Sequence, residues 1–139
     1  MEFKPVDWKR GIICGVIAGA VWGCLAITIN TASRAFIFEE TLLHRLITFT
    51  VGGAIFGMVV SGVLSMTHYW MSFRNIFLEA ICISVSLWGI LEAGGILLHF
   101  IKPGRFHLDI AQIVQGIFLA FIMGVLLGFL WKIGKRANC

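Results

Sequence analysis

The feature that most constrains the fold is a small residue at every fourth position in three apolar stretches. The series are Gly11, Gly15, Gly19 and Gly23; Gly53, Gly57, Ser61 and Ser65; and Gly116, Ala120, Gly124 and Gly128. Residues four apart lie on one face of an α-helix, so each series predicts a smooth ridge. Glycine is a poor helix former in water, but in lipid such ridges let two helix backbones approach closely. The spacing therefore predicts transmembrane helices that pack through glycine.

Composition places the chain among integral membrane proteins. Of its 139 residues, 59% are hydrophobic and 13% are charged, and the mean hydropathy is +0.95. A spanning helix needs about 20 apolar residues. Four stretches are long enough, at roughly 11–30, 42–66, 77–100 and 110–131. Lipid offers no water to backbone groups, and the alternating pattern of barrel strands is absent, so we predict an all-α protein. The prediction is one membrane domain over residues 1–139, a compact four-transmembrane-helix bundle.

The positive charges predict the orientation of this bundle. Seven lysines and arginines fall at the two ends and between the second and third stretches, whereas four fall on the opposite side. The seven are Lys4, Lys9, Arg10, Arg74, Lys132, Lys135 and Arg136, and the four are Arg34, Arg45, Lys102 and Arg105. Because cytoplasmic loops carry the positive excess, both termini are predicted to be cytoplasmic, in a bacterial inner membrane. Membrane lipid is an expected partner. Nucleic acid is not, since no basic face lies outside the spans.

Polar residues inside the predicted spans gather in the outer half of the membrane. Glu92 lies roughly 10 Å before the outer end of the third span, counted at 1.5 Å per residue. Gln112, Gln115 and Thr48 lie at similar depth in the neighbouring spans. An ionised carboxylate in hydrocarbon costs about 2.5–3.5 kcal/mol, so it should face the bundle or a water-filled cavity. These four residues are the predicted ion, proton or substrate site. The alternative is a structural carboxylate satisfied by Gln115, Thr48 or Arg45.

Two acid–histidine pairs suggest a metal site at the outer membrane surface. Glu40 and His44 are four residues apart, and Glu92 and His99 are seven apart, so each pair lies on one helix face. Two carboxylates and two imidazoles could together bind zinc, iron or manganese. The sequence contains no HExxH or paired ExxH motif, and a solvated interfacial cluster is the alternative interpretation. No other cofactor is predicted.

Glu79 receives a structural interpretation. It follows Asn75 by four residues and falls in the first turn of the third predicted helix. A carboxylate in that position interacts favourably with the helix dipole. Glu79 is therefore predicted to stabilise a helix start.

Two functions from different classes fit these patterns. The first is a small homo-oligomeric transporter or channel with an outward-facing polar cavity, in which Glu92 handles a cation or proton. The second is a non-catalytic packing or assembly subunit that docks its glycine faces on other membrane subunits. A small membrane enzyme with an interfacial metal or quinone site fits less well. The loops are too short for a catalytic domain, and no nucleophile elbow, phosphate loop or paired-aspartate motif occurs.

Overall fold

The computed structural model describes residues 8–34, 41–70, 75–101 and 109–137, and over these ranges the chain is all-helical. The helices are α1 (Trp8–Ser33), α2 (Leu42–Trp70), α3 (Ile76–Ile101) and α4 (Ile110–Ala137). Each is long and apolar enough to cross a membrane. The four predicted spans all lie inside these helices, so the prediction of four spanning-length helices is confirmed.

Local sequence explains where the helices begin and end. The side chain of Asn75 accepts a hydrogen bond from the Phe77 backbone N–H at 3.1 Å, and the Asp109 carboxylate accepts one from the Ala111 N–H at 3.0 Å. Asparagine and aspartate are preferred at this position because they satisfy backbone donors that the helix leaves free. Arg34 follows α1 with a φ of 53°, the left-handed conformation in which helices commonly end.

Helices α1 and α2 run antiparallel with their small residues face to face. An ideal Cβ atom on Gly15 would lie 2.6 Å from the carbonyl oxygen of Gly57, which leaves no room for a side chain. The Ser61 hydroxyl donates a 2.7 Å hydrogen bond to the carbonyl oxygen of Gly11. The facing pairs are Gly11–Ser61, Gly15–Gly57, Gly19–Gly53 and Gly23–Phe49. This contact therefore continues over more than three turns of both helices.

Helices α3 and α4 form a second antiparallel pair with the same four-residue step. An ideal Cβ on Gly124 would lie 2.5 Å from the Cα atom of Ile81. The Ser84 hydroxyl donates a 2.7 Å hydrogen bond to the carbonyl oxygen of Ala120. The facing pairs are Phe77–Gly128, Ile81–Gly124, Ser84–Ala120 and Trp88–Gly116. Here larger side chains of α3 rest on the small residues of α4.

The two helix pairs are joined both between α1 and α4 and between α2 and α3. The Trp22 indole donates a 2.6 Å hydrogen bond to the carbonyl oxygen of Leu119. At the other end, Arg10 donates to the carbonyl oxygen of Trp131 at 3.2 Å, and its guanidinium carbon lies 5.7 Å from the centroid of the Trp131 ring. Both of these contacts are much smaller than the contact within either pair. The described residues thus form two tight hairpins that are joined by two smaller contacts.

Helix α3 is the most open of the four. Only 6% of its apolar 18-residue segment is buried within the chain, against 44% of the corresponding segment of α4. An ideal Cβ atom on Gly89, Gly94 or Gly95 would have no atom within 4 Å. A single copy of the chain therefore leaves much of α3 available for other contacts.

Candidate functional site

Helix α3 carries two acidic residues that point to different neighbours. Glu79 and Glu92 are thirteen residues apart, which places them roughly 140° apart around the helix axis at 3.6 residues per turn. Glu79 contacts residues of α2. Glu92 lies eleven residues after Ile81, on the same face as this residue, and Ile81 packs on α4. The two carboxyl groups therefore belong to separate sites.

Glu92 lies near the α3–α4 contact in the half of the bundle that contains the end of α1. The antiparallel register that pairs Trp88 with Gly116 brings Glu92 level with Gln112. Glu92 and Gln112 are both partly buried. Glu92 forms no hydrogen bond or ion pair with any residue in the described ranges. A carboxyl group in an apolar helix is thus left without a partner from this part of the chain.

The other predicted site residues lie apart from Glu92. Gln115 is buried, accepts a 2.7 Å hydrogen bond from the Ser33 hydroxyl, and donates to the Asn30 side chain at 3.4 Å. It therefore joins α4 to the end of α1. Thr48 is exposed on α2 and lines a cavity next to Trp22. The structure brings Glu92 and Gln112 to one level, but no hydrogen bond joins Glu92 to Gln115 or Thr48.

Two further polar atoms on the Glu92 face of α3 have no partner among the described residues. Nε1 of Trp88 and Nδ1 of His99 are buried, and neither forms a hydrogen bond there. With Glu92 they make a row on one helix face, formed by Trp88, Glu92 and His99. Buried polar groups in proteins are nearly always satisfied, so an unsatisfied group needs an explanation. Sequence reasoning missed Trp88 because a tryptophan in an apolar stretch looks like ordinary packing.

The predicted metal set is only partly covered by the structure. Glu40 lies outside the described residues. His44 is exposed on α2, and Glu92 and His99 are partly buried on α3. Within the described ranges, no three His, Cys, Asp or Glu side chains come close enough to hold a metal ion. A metal bound by Glu40, His44, Glu92 and His99 stays a prediction.

Glu79 forms the second polar site, at the opposite end of α3. Its side chain is only 2% exposed. The Thr67 hydroxyl donates to Oε1 at 3.1 Å, and Nδ1 of His68 lies 2.9 Å from Oε2. Asn75 caps the helix, while Glu79 turns toward α2, so its role extends beyond the predicted stabilisation of a helix start. One signal was present in the sequence: Thr67, His68 and Glu79 flank a single short connection, and an antiparallel hairpin brings such positions together.

Replacing Glu79 with alanine should separate these ends of α2 and α3. The change removes the carboxylate that links Thr67 and His68 of α2 to α3, at an expected cost of about 1–3 kcal/mol, although the Thr67 hydroxyl keeps the carbonyl oxygen of Val63 as an acceptor at 2.9 Å. Glu79→Gln should keep the hairpin closed because an amide can bond both neighbours. Spin labels on cysteines introduced at Met66 and Leu78, both exposed, would report the distance after replacement of the native cysteines. An unchanged distance distribution in Glu79→Ala would contradict this role.

Three neighbouring cavities lie along α2 and α3. Their volumes are about 450, 320 and 340 Å³, and the first is also lined by Trp22 of α1 and by Gly116 and Leu119 of α4. The first two share Phe56 and Leu91, and the last two share Leu87 and Ile90. We call this feature the α2–α3 groove. Its walls are apolar over most of their length, and Glu79 lies at one end. Aromatic side chains line the other end, where the Phe56 and Trp88 rings meet edge to face with centroids 6.4 Å apart.

Comparison with known proteins adds no functional information to this geometry. No family model, curated protein or solved structure matches the chain.

Proposed function

We propose that this chain is a small membrane transport protein, assembled from several copies, that moves a cation or proton past Glu92. The observation that carries the proposal is a partly buried carboxyl group in an apolar helix with no partner in the described ranges. Ionisable residues inside spans are costly and commonly mark ion or proton pathways. A structural carboxylate would instead be expected to have hydrogen-bonding partners. In this proposal, the transported ion is the missing partner of the Glu92 carboxyl group.

The proposed path lies between copies. Four helices enclose little volume, and the part of the groove between Glu79 and Ile90 lies on a different face of α3 from Glu92. The ridge glycines of α1, α2 and α4 already face neighbours inside the same chain. On α3, Gly89 and Gly95 have open space around them and lie three residues before and after Glu92. A second copy that packs against these two glycines would come close to Glu92, because small residues permit close helix contact.

The same proposal includes the membrane setting of the fold. In this proposal, the helices of each hairpin pack through glycine inside a bilayer, and both termini lie on the cytoplasmic side of a bacterial inner membrane. The close approach of the Gly15 and Gly57 backbones supports the first part. The excess of lysine and arginine at the two chain ends supports the second.

One observation favours the second candidate, a packing or assembly subunit of a larger complex. Helix α3 exposes large apolar side chains on several sides, among them Leu97, Leu98 and Phe100, together with open glycines. Another membrane protein that packs on α3 would bury these side chains equally well. Glu92 would then pair with a residue of that protein rather than with a transported ion.

Reconstitution of the purified chain separates the two candidates. If the transport proposal holds, liposomes that contain this chain alone should dissipate an imposed proton or cation gradient faster than protein-free liposomes. The readout is an internal pH- or ion-sensitive dye, with the oligomeric state checked by light scattering. Absence of flux, combined with recovery of a stoichiometric complex from the native membrane, would contradict the transport function and support the function of a complex subunit.

A further inference from the structure

We propose that the contact between Glu79 and His68 is a pH-sensitive switch, which holds the ends of α2 and α3 together when it binds a proton. A fall in pH on this side of the membrane brings the two helix ends together, and a rise in pH lets them separate. The switch lies at the end of the bundle where α1 begins and α4 ends. Glu92 lies thirteen residues further along α3, so the switch and the proposed ion flux can be tested separately.

Among the described residues, the Glu79 carboxylate has one source of compensating positive charge. Its side chain is only 2% exposed, and burial of an ionised carboxylate is costly unless a charge compensates for it. Its polar partners are the Thr67 hydroxyl at 3.1 Å and Nδ1 of His68 at 2.9 Å. The hydroxyl is neutral. The compensating charge therefore has to be the protonated imidazole of His68.

One proton is tied to the closed arrangement of these helix ends. With the proton on His68 the contact is an ion pair, and with the proton on Glu79 it is a neutral hydrogen bond. Loss of the proton leaves a buried carboxylate that meets only neutral groups, so separation and hydration become favourable. A hydrated histidine changes its charge between about pH 5 and 8. Because closure binds the proton and opening releases it, acid favours closure.

His68 gives the switch its access to water. Its side chain is 32% exposed, whereas that of Glu79 is almost fully enclosed. A proton can therefore reach the contact through the imidazole ring without prior separation of the helices. The contact between α2 and α3 is also much smaller than the contact within either helix pair. A polar link at one end is thus a large part of what joins these two helices.

Other titratable groups on the neighbouring elements have different contacts. Cys82 of α3 lines the cavity next to Glu79 but forms no hydrogen bond with it. Lys132 of α4 and Arg10 of α1 each lie over an aromatic ring. None of these three groups forms an ion pair with Glu79. Within the described ranges, the pH response of the Glu79 site therefore depends on Glu79 and His68.

Distance measurements across the two helix ends test the switch. Spin labels on cysteines at Met66 and Leu78 report the separation of α2 and α3 for the full chain in liposomes, after replacement of the native cysteines. The pH is varied from about 5.5 to about 8.5, a range that covers the charge change of histidine. The wild-type distances should shift to longer values as the pH rises and return on acidification. Replacement of Cys82 in this background also removes its thiol from the response.

Two variants and a second readout complete the test. Glu79→Gln should keep the short distance at every pH, because an amide bonds both neighbours without a buried charge. His44→Gln removes an imidazole from the exposed start of α2 and should keep the wild-type response. The ¹⁵N NMR titration of the His68 ring should have the same midpoint as the distance shift. A wild-type distance that is constant over this range would overturn the switch, as would different midpoints or an undiminished response in Glu79→Gln.

Discussion

Replacing Gly53 with alanine should destabilise the protein by about 1–3 kcal/mol, the usual cost of overpacking, whereas the same change at Gly52 should not destabilise it. A Cβ atom on Gly53 would collide with the carbonyl oxygen of Gly19 and lie 3.0 Å from Cε3 of Trp22. The carbonyl oxygen belongs to a helix backbone, so it cannot turn aside as a side chain can. On Gly52 the added methyl group would meet no atom within 4 Å.

The neighbouring glycine makes this comparison well controlled. Both variants add one methyl group to the same helix, and alanine is the better helix former in each case. Thermal unfolding in one detergent, followed by circular dichroism, gives the difference in stability. Equal midpoints for Gly53→Ala and Gly52→Ala would show that the α1–α2 contact is not as close as the structure has it.

Glu92→Gln should reduce ion flux in proteoliposomes to the level of protein-free liposomes. Glutamine preserves the size of the side chain but can neither carry a negative charge nor release a proton at neutral pH. Ion flux along a path that depends on this carboxyl group should therefore stop. Glu92→Asp should retain measurable flux because the carboxyl group is kept. The measurement is the initial rate of gradient dissipation at equal protein density in the liposomes.

Asp109→Asn provides the matched control for this variant. It also replaces one carboxylate with an amide, and asparagine caps a helix as well as aspartate does. Its flux should equal that of the wild type. Full flux in Glu92→Gln would remove Glu92 from the transport proposal, even if the wild-type protein conducts.

The helices were predictable because their signals are local. Long apolar runs and small residues every fourth position are properties of a single segment, and all four predicted spans lie inside helices of the structure. Which segments pack against each other is not determined by the sequence of any single segment. Three ridges could face one another or other proteins, and the sequence did not distinguish these arrangements. The structure pairs Gly15 with Gly57 inside the chain, whereas the Gly116 ridge receives larger side chains of α3.

The candidate sites were predicted less completely for the same reason. Glu92 stood out because an acid in an apolar stretch is conspicuous, but the position of Gln115 depended on how α4 meets α1. Gln115 bonds Ser33, more than eighty residues away in sequence. Glu79 was interpreted from its own helix, whereas its hydrogen-bonding partners lie on α2. Contacts between helices decide which polar groups are satisfied, and one-dimensional patterns do not contain them.

The pairing of neighbouring helices has a consequence for biogenesis. The closest backbone contacts join segments that are consecutive in the chain, α1 with α2 and α3 with α4. Contacts between segments close in sequence form quickly, because little chain entropy is lost when they meet. Each hairpin can therefore assemble soon after synthesis of its second helix. The hydrogen bond from Trp22 to Leu119 joins the first hairpin to the last helix, so it must form after α4 has been made.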